Sequence, residues 1–246
     1  MAKNKIIRNK SAQAHIEMIV SFLIFVGFVF VFFIFFTPTK QNTISSAALD
    51  LTQKIIIENS SFNYDYASLI ISSDYDFRGV SCISIENSLG ISGNAVARDV
   101  NNNLLKTKQV GNIISIELPT DKRYYRLYFS DYFAPLNLGS TDCTQLTPGS
   151  DYNYSVVSTS TGIMYDNLQV LNDAYMANYE KLKNDFGLRN NFEFAVYNLS
   201  YSVIMNDTLS MHKAKPVQVL SRNIPLKAIY RNGSDVDLIL NLRVWA

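Results

Sequence analysis

Met18 to Phe36 reads MIVSFLIFVGFVFVFFIFF, nineteen residues without a charge. At about 1.5 Å of rise per residue, a helix of this length spans roughly 28 Å, close to the hydrocarbon thickness of a bilayer. A lone segment in lipid must satisfy its backbone internally, so the stretch predicts a transmembrane helix despite its β-branched and aromatic residues. A buried helix of a soluble core shows a polar stripe, and this stretch has none. A cleaved secretory signal has a shorter apolar run, about 7–15 residues, closed by a small-x-small site. Here the run ends in Phe35-Phe36-Thr37-Pro38, and the nearest candidate site, Ser45-Ser46-Ala47, lies too far downstream.

Toward the N-terminus, residues 1–12 carry Lys3, Lys5, Arg8 and Lys10 and no acid. That tip is +4 within an overall +1, which leaves the rest of the chain at −3. These four lie on one flank, and such an excess of basic residues places that flank in the cytoplasm and the rest of the chain outside. Eight of the 15 Phe fall between Phe22 and Phe36, whereas all 15 Tyr lie at or beyond Tyr64. The chain therefore divides into a basic leader (1–12), a transmembrane helix with an amphipathic extension (13–58), and a β-rich extracytoplasmic domain (59–246). The fold class expected is α+β: a long hydrophobic helix followed by a β-rich domain with one packed amphipathic helix. The localisation expected is the cell membrane, crossed once.

Glu17 stands one residue before the uncharged run. An ionisable group at membrane depth is costly and calls for a partner, in the plain case headgroup water, Lys10 or His15. Its neighbours suggest more. Lys10-Ser11-Ala12-Gln13-Ala14-His15-Ile16-Glu17, followed at once by the apolar helix, resembles the processing site of archaeal type IV pilin-like proteins, with Gln first and Glu fifth in the mature chain. The resemblance covers about residues 8–36. It implies that a prepilin-peptidase-like enzyme cuts between Ala12 and Gln13 on the cytoplasmic side. Ala12 stands where Gly is commoner, and Ser11 replaces the usual charged residue.

The resemblance also implies that Glu17 meets the new amino group of a neighbouring pilin-like subunit in a filament. Opposite charges attract far more strongly in a low-dielectric setting than in water, and a buried carboxylate without its partner is costly. Phe22, Phe25, Phe28, Phe32 and Phe36 recur at helical spacing, as either a filament-core row or a lipid-facing one. Other subunits would then be partners through this helix.

Beyond the apolar stretch, Thr37-Pro38 predicts a helix restart, or a kink in one continuous rod. Ile44, Ala48, Leu51 and Ile55 recur at spacings of 4, 3 and 4 and predict an amphipathic helix to about Glu58. Short apolar runs then alternate with turn residues, predicting strands over 68–72, 80–85, 91–98, 113–118 and 123–129. Asn101-Asn102-Asn103 and Pro119-Thr120-Asp121 read as turns. Residues 137–153, rich in Gly, Ser, Thr and Pro, read as a loop and a candidate boundary between two β-rich halves. Leu168, Leu171, Tyr175, Tyr179, Leu182 and Phe186 lie on one face of a second helix, with Asp166 and Gln169 resembling a capping box and Gly187 at its end. Strands resume over 192–198, 201–205, 217–221 and 228–230, with a turn at Asn232-Gly233 into 236–245.

Five Asn-x-Ser/Thr sequons, at Asn59, Asn153, Asn198, Asn206 and Asn232, all follow the apolar stretch, where N-glycosylation is possible if the domain is exported. Cys82 and Cys143 are the only cysteines; outside the cell they form a candidate disulfide, with two buried thiols as the alternative. Little points to an enzyme. The only histidines are His15 and His212, and nucleophile-elbow, zinc-helix, phosphate-loop and Cys-x-x-Cys motifs are absent. Asp74-Tyr75-Asp76-Phe77-Arg78-Gly79 begins like a calcium loop, but Arg78 takes a ligand position and Ile85 stands where the bidentate Glu belongs. No catalytic residue, metal, cofactor or nucleic-acid partner is expected.

Overall fold

The computed structural model describes residues 10–118, 123–139, 142–205 and 219–245, with side chains described throughout these ranges except at 10–16 and 33–45. The chain divides into two compact units, Met1–Ala48 and Leu49–Ala246.

A single helix, α1, is assigned over Lys10–Ser60. It continues through Thr37-Pro38, where a restart was expected. One proline removes one backbone hydrogen bond and crowds the preceding turn, which bends a long helix more readily than it ends one. The expected transmembrane span is corrected: among the described residues no helix is long and apolar enough to cross a membrane. The described apolar side chains run only from Met18 to Phe32.

The last turns of α1 belong to the second unit, and they bury a different row from the one expected. Leu51 is 48% exposed, whereas Leu49, Thr52, Ile56 and Ser60 are buried at spacings of 3, 4 and 4. Leu49, Thr52 and Ile56 each lie one residue beyond Ala48, Leu51 and Ile55 of the predicted row, which rotates the face by about 100°. Two of the four residues are polar, so hydrophobicity alone does not find this face.

The strands are β1 (Ser61–Ile71), β2 (Cys82–Glu86), β3 (Asn94–Asp99), β4 (Leu104–Leu105), β5 (Thr107–Val110), β6 (Ile113–Glu117), β7 (Tyr124–Ser130), β8 (Thr144–Gln145), β9 (Tyr152–Tyr154) and β10 (Ser158–Met164). Helices α2 (Tyr165–Ala177) and α3 (Tyr179–Asp185) follow, then β11 (Asn191–Asn198), β12 (Val203–Met205), β13 (Val219–Ile229) and β14 (Asp235–Trp245). Ten strands make one sheet in the order β12-β11-β14-β13-β10-β1-β7-β3-β4, with β9 also on β1; β5-β6-β2-β8 make a second. The large sheet narrows at one seam: β10 and β13 run parallel and pair only Ile163 with Ala228 and Met164 with Ile229.

On one side of the seam the two sheets form a sandwich. Alternate residues Leu69 and Ile71 of β1, Tyr125, Leu127 and Phe129 of β7, and Ala95 and Ala97 of β3 share a core with Ile83, Ile85, Ile114 and Ile116 of the smaller sheet. This is the period-two burial of a two-layer β structure. On the other side, helices cover the sheet. Tyr175 and Tyr179 lie edge-on or tilted against Phe192, with centroids 5.7 and 5.5 Å apart. The Tyr179 hydroxyl accepts the Phe192 backbone N–H at 2.9 Å. Arg222 of β13 reaches Asp50 and Gln53 of α1, each at 2.7 Å.

The single amphipathic helix expected over 166–186 is two. Its apolar spacing continues across the break, but Asn178 leaves helical geometry (φ −157°, ψ 84°) and accepts the Lys181 N–H at 2.9 Å, capping α3. Asp166 does not cap α2, which begins after Met164; it pairs with Arg231 at 2.5 Å instead. Gly187 does end α3 in a left-handed conformation, φ +64°.

Candidate functional site

The residues singled out near the N-terminus fall on α1. Ala12 and Gln13 are helical in backbone, with side chains outside those described; Glu17 is exposed. From Met18 to Phe32, eleven large apolar side chains are exposed around the whole helix, Met18 at 74% and Phe25 at 65% among them. Phe22, Phe28 and Phe32 share that exposure, and Phe36 lies outside the described side chains. Each such side chain gains about 1.5–3 kcal/mol on full burial, so covering all eleven is worth on the order of 20 kcal/mol. An apolar rod of this kind is incomplete until something covers it.

Cys82 and Cys143 are disulfide-bonded, with Cα atoms 4.9 Å apart. The bond sits at the end of a two-residue parallel ladder, Ile83 with Thr144 and Ser84 with Gln145. Extending that register by one step pairs Cys82 with Cys143, so the sulfurs staple β8 to β2 in line with the ladder. So short a strand has little hold of its own. At the far end of β2, the Tyr152 and Tyr154 hydroxyls both donate to the Glu86 carbonyl, at 3.2 and 2.9 Å. Burial, followed by the neighbouring Tyr152, pushes the Tyr154 hydroxyl far above its ordinary pKa, keeping it a donor.

The sequons differ in presentation. Asn59 is exposed in the last turn of α1, where its Nδ2 donates to the Ile55 carbonyl at 2.8 Å. Asn153 is exposed on β9. Asn198 closes the β11–β12 turn, its Oδ1 accepting from the Ser200 and Ser202 N–H groups at 2.9 and 2.8 Å. Asn232 makes the corresponding turn before β14, its Oδ1 accepting from Ser234 N at 2.9 Å and from the Ser234 hydroxyl at 2.7 Å. In both turns the amide oxygen is occupied by the protein itself. Asn206, like His212 and the turn expected at 119–121, lies outside the described residues.

A charged cluster that sequence reasoning missed joins the Asn232-Gly233 turn to the sandwich. Arg98, buried on β3, donates to the Gly233 carbonyl, pairs with Asp235 at 3.3 Å and lies over the Tyr128 ring at 5.8 Å. Lys227 reaches the same carboxylate at 2.9 Å. Burial by itself raises the Asp235 carboxyl, but the Lys227 hydrogen bond and the Arg98 and Lys227 charges prevail and hold it below the usual carboxylate range. Gly233 (φ +86°) fits closely here, since a Cβ would stand 2.7 Å from Val96 Cγ2. Arg98 and Asp235 are 137 residues apart in sequence, whereas Lys227 and Asp235 are brought together by the β13–β14 hairpin. The stretch 74–79, compared above with a calcium loop, makes a turn in which Asp76 accepts the Arg78 N–H at 3.0 Å. Among the described residues no three His, Cys, Asp or Glu side chains gather as metal ligands.

Searches with this chain find no matching protein-family profile, no similar curated protein and no similar solved structure.

Proposed function

We propose that the chain is a type IV pilin-like subunit of an archaeal surface filament or pseudopilus, with its β-rich domain on the outside. In this proposal the cell membrane and a prepilin-peptidase-like enzyme are its partners before assembly, and other pilin-like subunits afterwards. The observation that carries it is the exposed apolar surface of α1 between Met18 and Phe32, adjoining the ordered series Ala12, Gln13 and Glu17. A bundle of such helices covers in common what one chain leaves bare, and the hydrophobic gain scales with the area removed from water. Glu17, just before the apolar stretch, then serves as the register element: in register it meets the amino group of Gln13 from a neighbour, and out of register its carboxylate is buried without a partner.

N-terminal sequencing of the protein recovered from cells tests the processing step, and Glu17→Ala tests assembly. The expected results are a mature chain beginning at Gln13 and loss of the Ala variant from sheared filaments. A chain that keeps Met1 or Ala2 would support a surface glycoprotein or assembly accessory that does not polymerise. Glu17→Ala incorporated at the parent level would remove the proposed role of the carboxylate.

A further inference from the structure

The outer face of β1, β7 and β3, opposite the sandwich core, carries an unusual combination. Period-two alternation places Tyr66 and Ser68 of β1 beside Tyr124, Arg126 and Tyr128 of β7. In register, Tyr66 faces Tyr128 and Ser68 faces Arg126. On its other flank Arg126 stands directly opposite Arg98 of β3. Like charges in directly opposed positions destabilise a sheet. Arg98 is neutralised by Asp235, but Arg126 is exposed and has no hydrogen-bond or ion-pair partner among the described residues. Tyr124 is 52% exposed, and Tyr66 and Tyr128 are 6.2 Å apart by ring centroid. A dimple of about 160 Å³ opens beside them, lined by Ser68, Val100, Tyr124 and Arg126. That is about five water volumes. Asp99 also lines it, its carboxylate oriented by the Asn103 backbone N–H at 2.7 Å and the Asn103 amide at 2.8 Å but still charged.

We propose that this face binds a saccharide bearing carboxylate groups, with Arg126 as the anion fork and the exposed Tyr66 and Tyr124 as the platform for the sugar rings. The planar guanidinium matches a carboxylate with two parallel hydrogen bonds, which a lone point charge does not. Aromatic faces carry negative quadrupole density and attract the polarised C–H faces of a pyranose as they attract other positive edges. The charge count separates this ligand from a nucleic acid. A phosphodiester strand is held by a track of several free cations along a groove. Among the described residues, Arg98 and Lys227 share the single Asp235 carboxylate, and Arg126 is the cation of the face with no acid partner, which is too few for such a track. The site does not depend on whether the chain polymerises.

The test is equilibrium binding of the full-length chain, in mild detergent, to four immobilised probes: polygalacturonate, neutral dextran, poly-glutamate and a single-stranded oligodeoxyribonucleotide. Polygalacturonate should bind at least tenfold more tightly than each of the other three. Arg126→Ala should weaken that binding about tenfold, and Tyr124→Ala threefold or more; neither should lower the melting temperature, since both side chains are exposed and losing Arg126 relieves its opposition to Arg98. Arg126→Lys, which keeps the charge but loses the fork, should restore only part of it. No binding to polygalacturonate, or binding indifferent to Arg126→Ala, would overturn the proposal. Equal or tighter binding of poly-glutamate or of the oligonucleotide would overturn it as well, by showing that charge rather than a sugar platform is recognised.

Discussion

Replacing Cys143 by Ser removes the staple between β8 and β2, and its cost follows from the loop it closes. The bond joins residues 61 apart in sequence. Loop-closure entropy for such a span corresponds to about 4 kcal/mol at 25 °C. The second unit runs from Leu49 to Ala246, a size at which 1 kcal/mol moves the melting temperature by about 2–4 °C. The expected fall is therefore about 8–16 °C. Cys143 is the better site to change, because Cys82 is 2% exposed and shortening it would add a packing loss. Thermal unfolding followed by circular dichroism, for the parent with and without reductant and for Cys143→Ser, gives the comparison. The reduced parent and the variant should agree. Urea unfolding adds an independent check, because loosening the unfolded chain exposes more surface and should raise the m-value. A melting temperature lowered by less than about 2 °C, or alkylation of both thiols in the untreated native protein, would refute the reasoning.

Three further changes test other parts of the fold. Gly93→Ala places a Cβ 2.6 Å from the Ser130 backbone carbon at φ +94°, so both the backbone and the packing are strained; a loss of about 2 kcal/mol or more is expected in urea titration, and an unchanged midpoint would contradict the local geometry. Tyr179→Phe leaves the buried Phe192 N–H without its acceptor and should cost about 1–3 kcal/mol, with faster exchange of that amide by NMR. Asp235→Asn tests the charged cluster through pH. The folded carboxyl is lowered, so its contribution is complete above the unfolded value near 4 and fades as pH falls through the folded value. The parent's advantage in melting temperature over the Asn variant should be largest at neutral pH and shrink below about pH 4; an advantage constant from pH 7 to pH 2 would remove the carboxylate from the account.

The legible parts of this sequence were those whose partners are local. Gly187 ending a helix, Asn232-Gly233 turning a hairpin, and the alternation in 113–118 and 123–129 each declare themselves within a few residues, and α3, the β13–β14 turn, β6 and β7 stand there. Strand β10 escaped notice because STSTGIM shows little apolar alternation. Part of its attachment to β1 is polar: Thr159 donates to Asp65 at 2.5 Å and Thr161 to Asn63 at 3.0 Å. The apolar pattern predicts separate strands over 217–221 and 228–230, yet β13 runs unbroken from Val219 to Ile229 through Pro225. The hairpin register explains why. Tyr230 donates to the Ser234 carbonyl, and ladder bonds recur at every second residue, so Ala228, Leu226 and Ile224 exchange hydrogen bonds with β14. Pro225 falls between them, with the position of its missing N–H on the edge that β10 leaves unpaired.

The same logic accounts for the rotated face of α1 and for the site proposed on β7. In both, the deciding residue answers to a strand far along the chain: Asp50 and Gln53 to Arg222, Arg126 to its in-register neighbour Arg98. Tyr124-Tyr125-Arg126-Leu127-Tyr128 looks in sequence like any half-buried strand, with tyrosines suited to a pleated surface. Its chemistry appears only when β3 is laid alongside, because an arginine becomes notable when its in-register neighbour is another arginine and no acid pairs with it among the described residues. A sequence records which charges a strand carries; whether each has been answered is a property of the sheet.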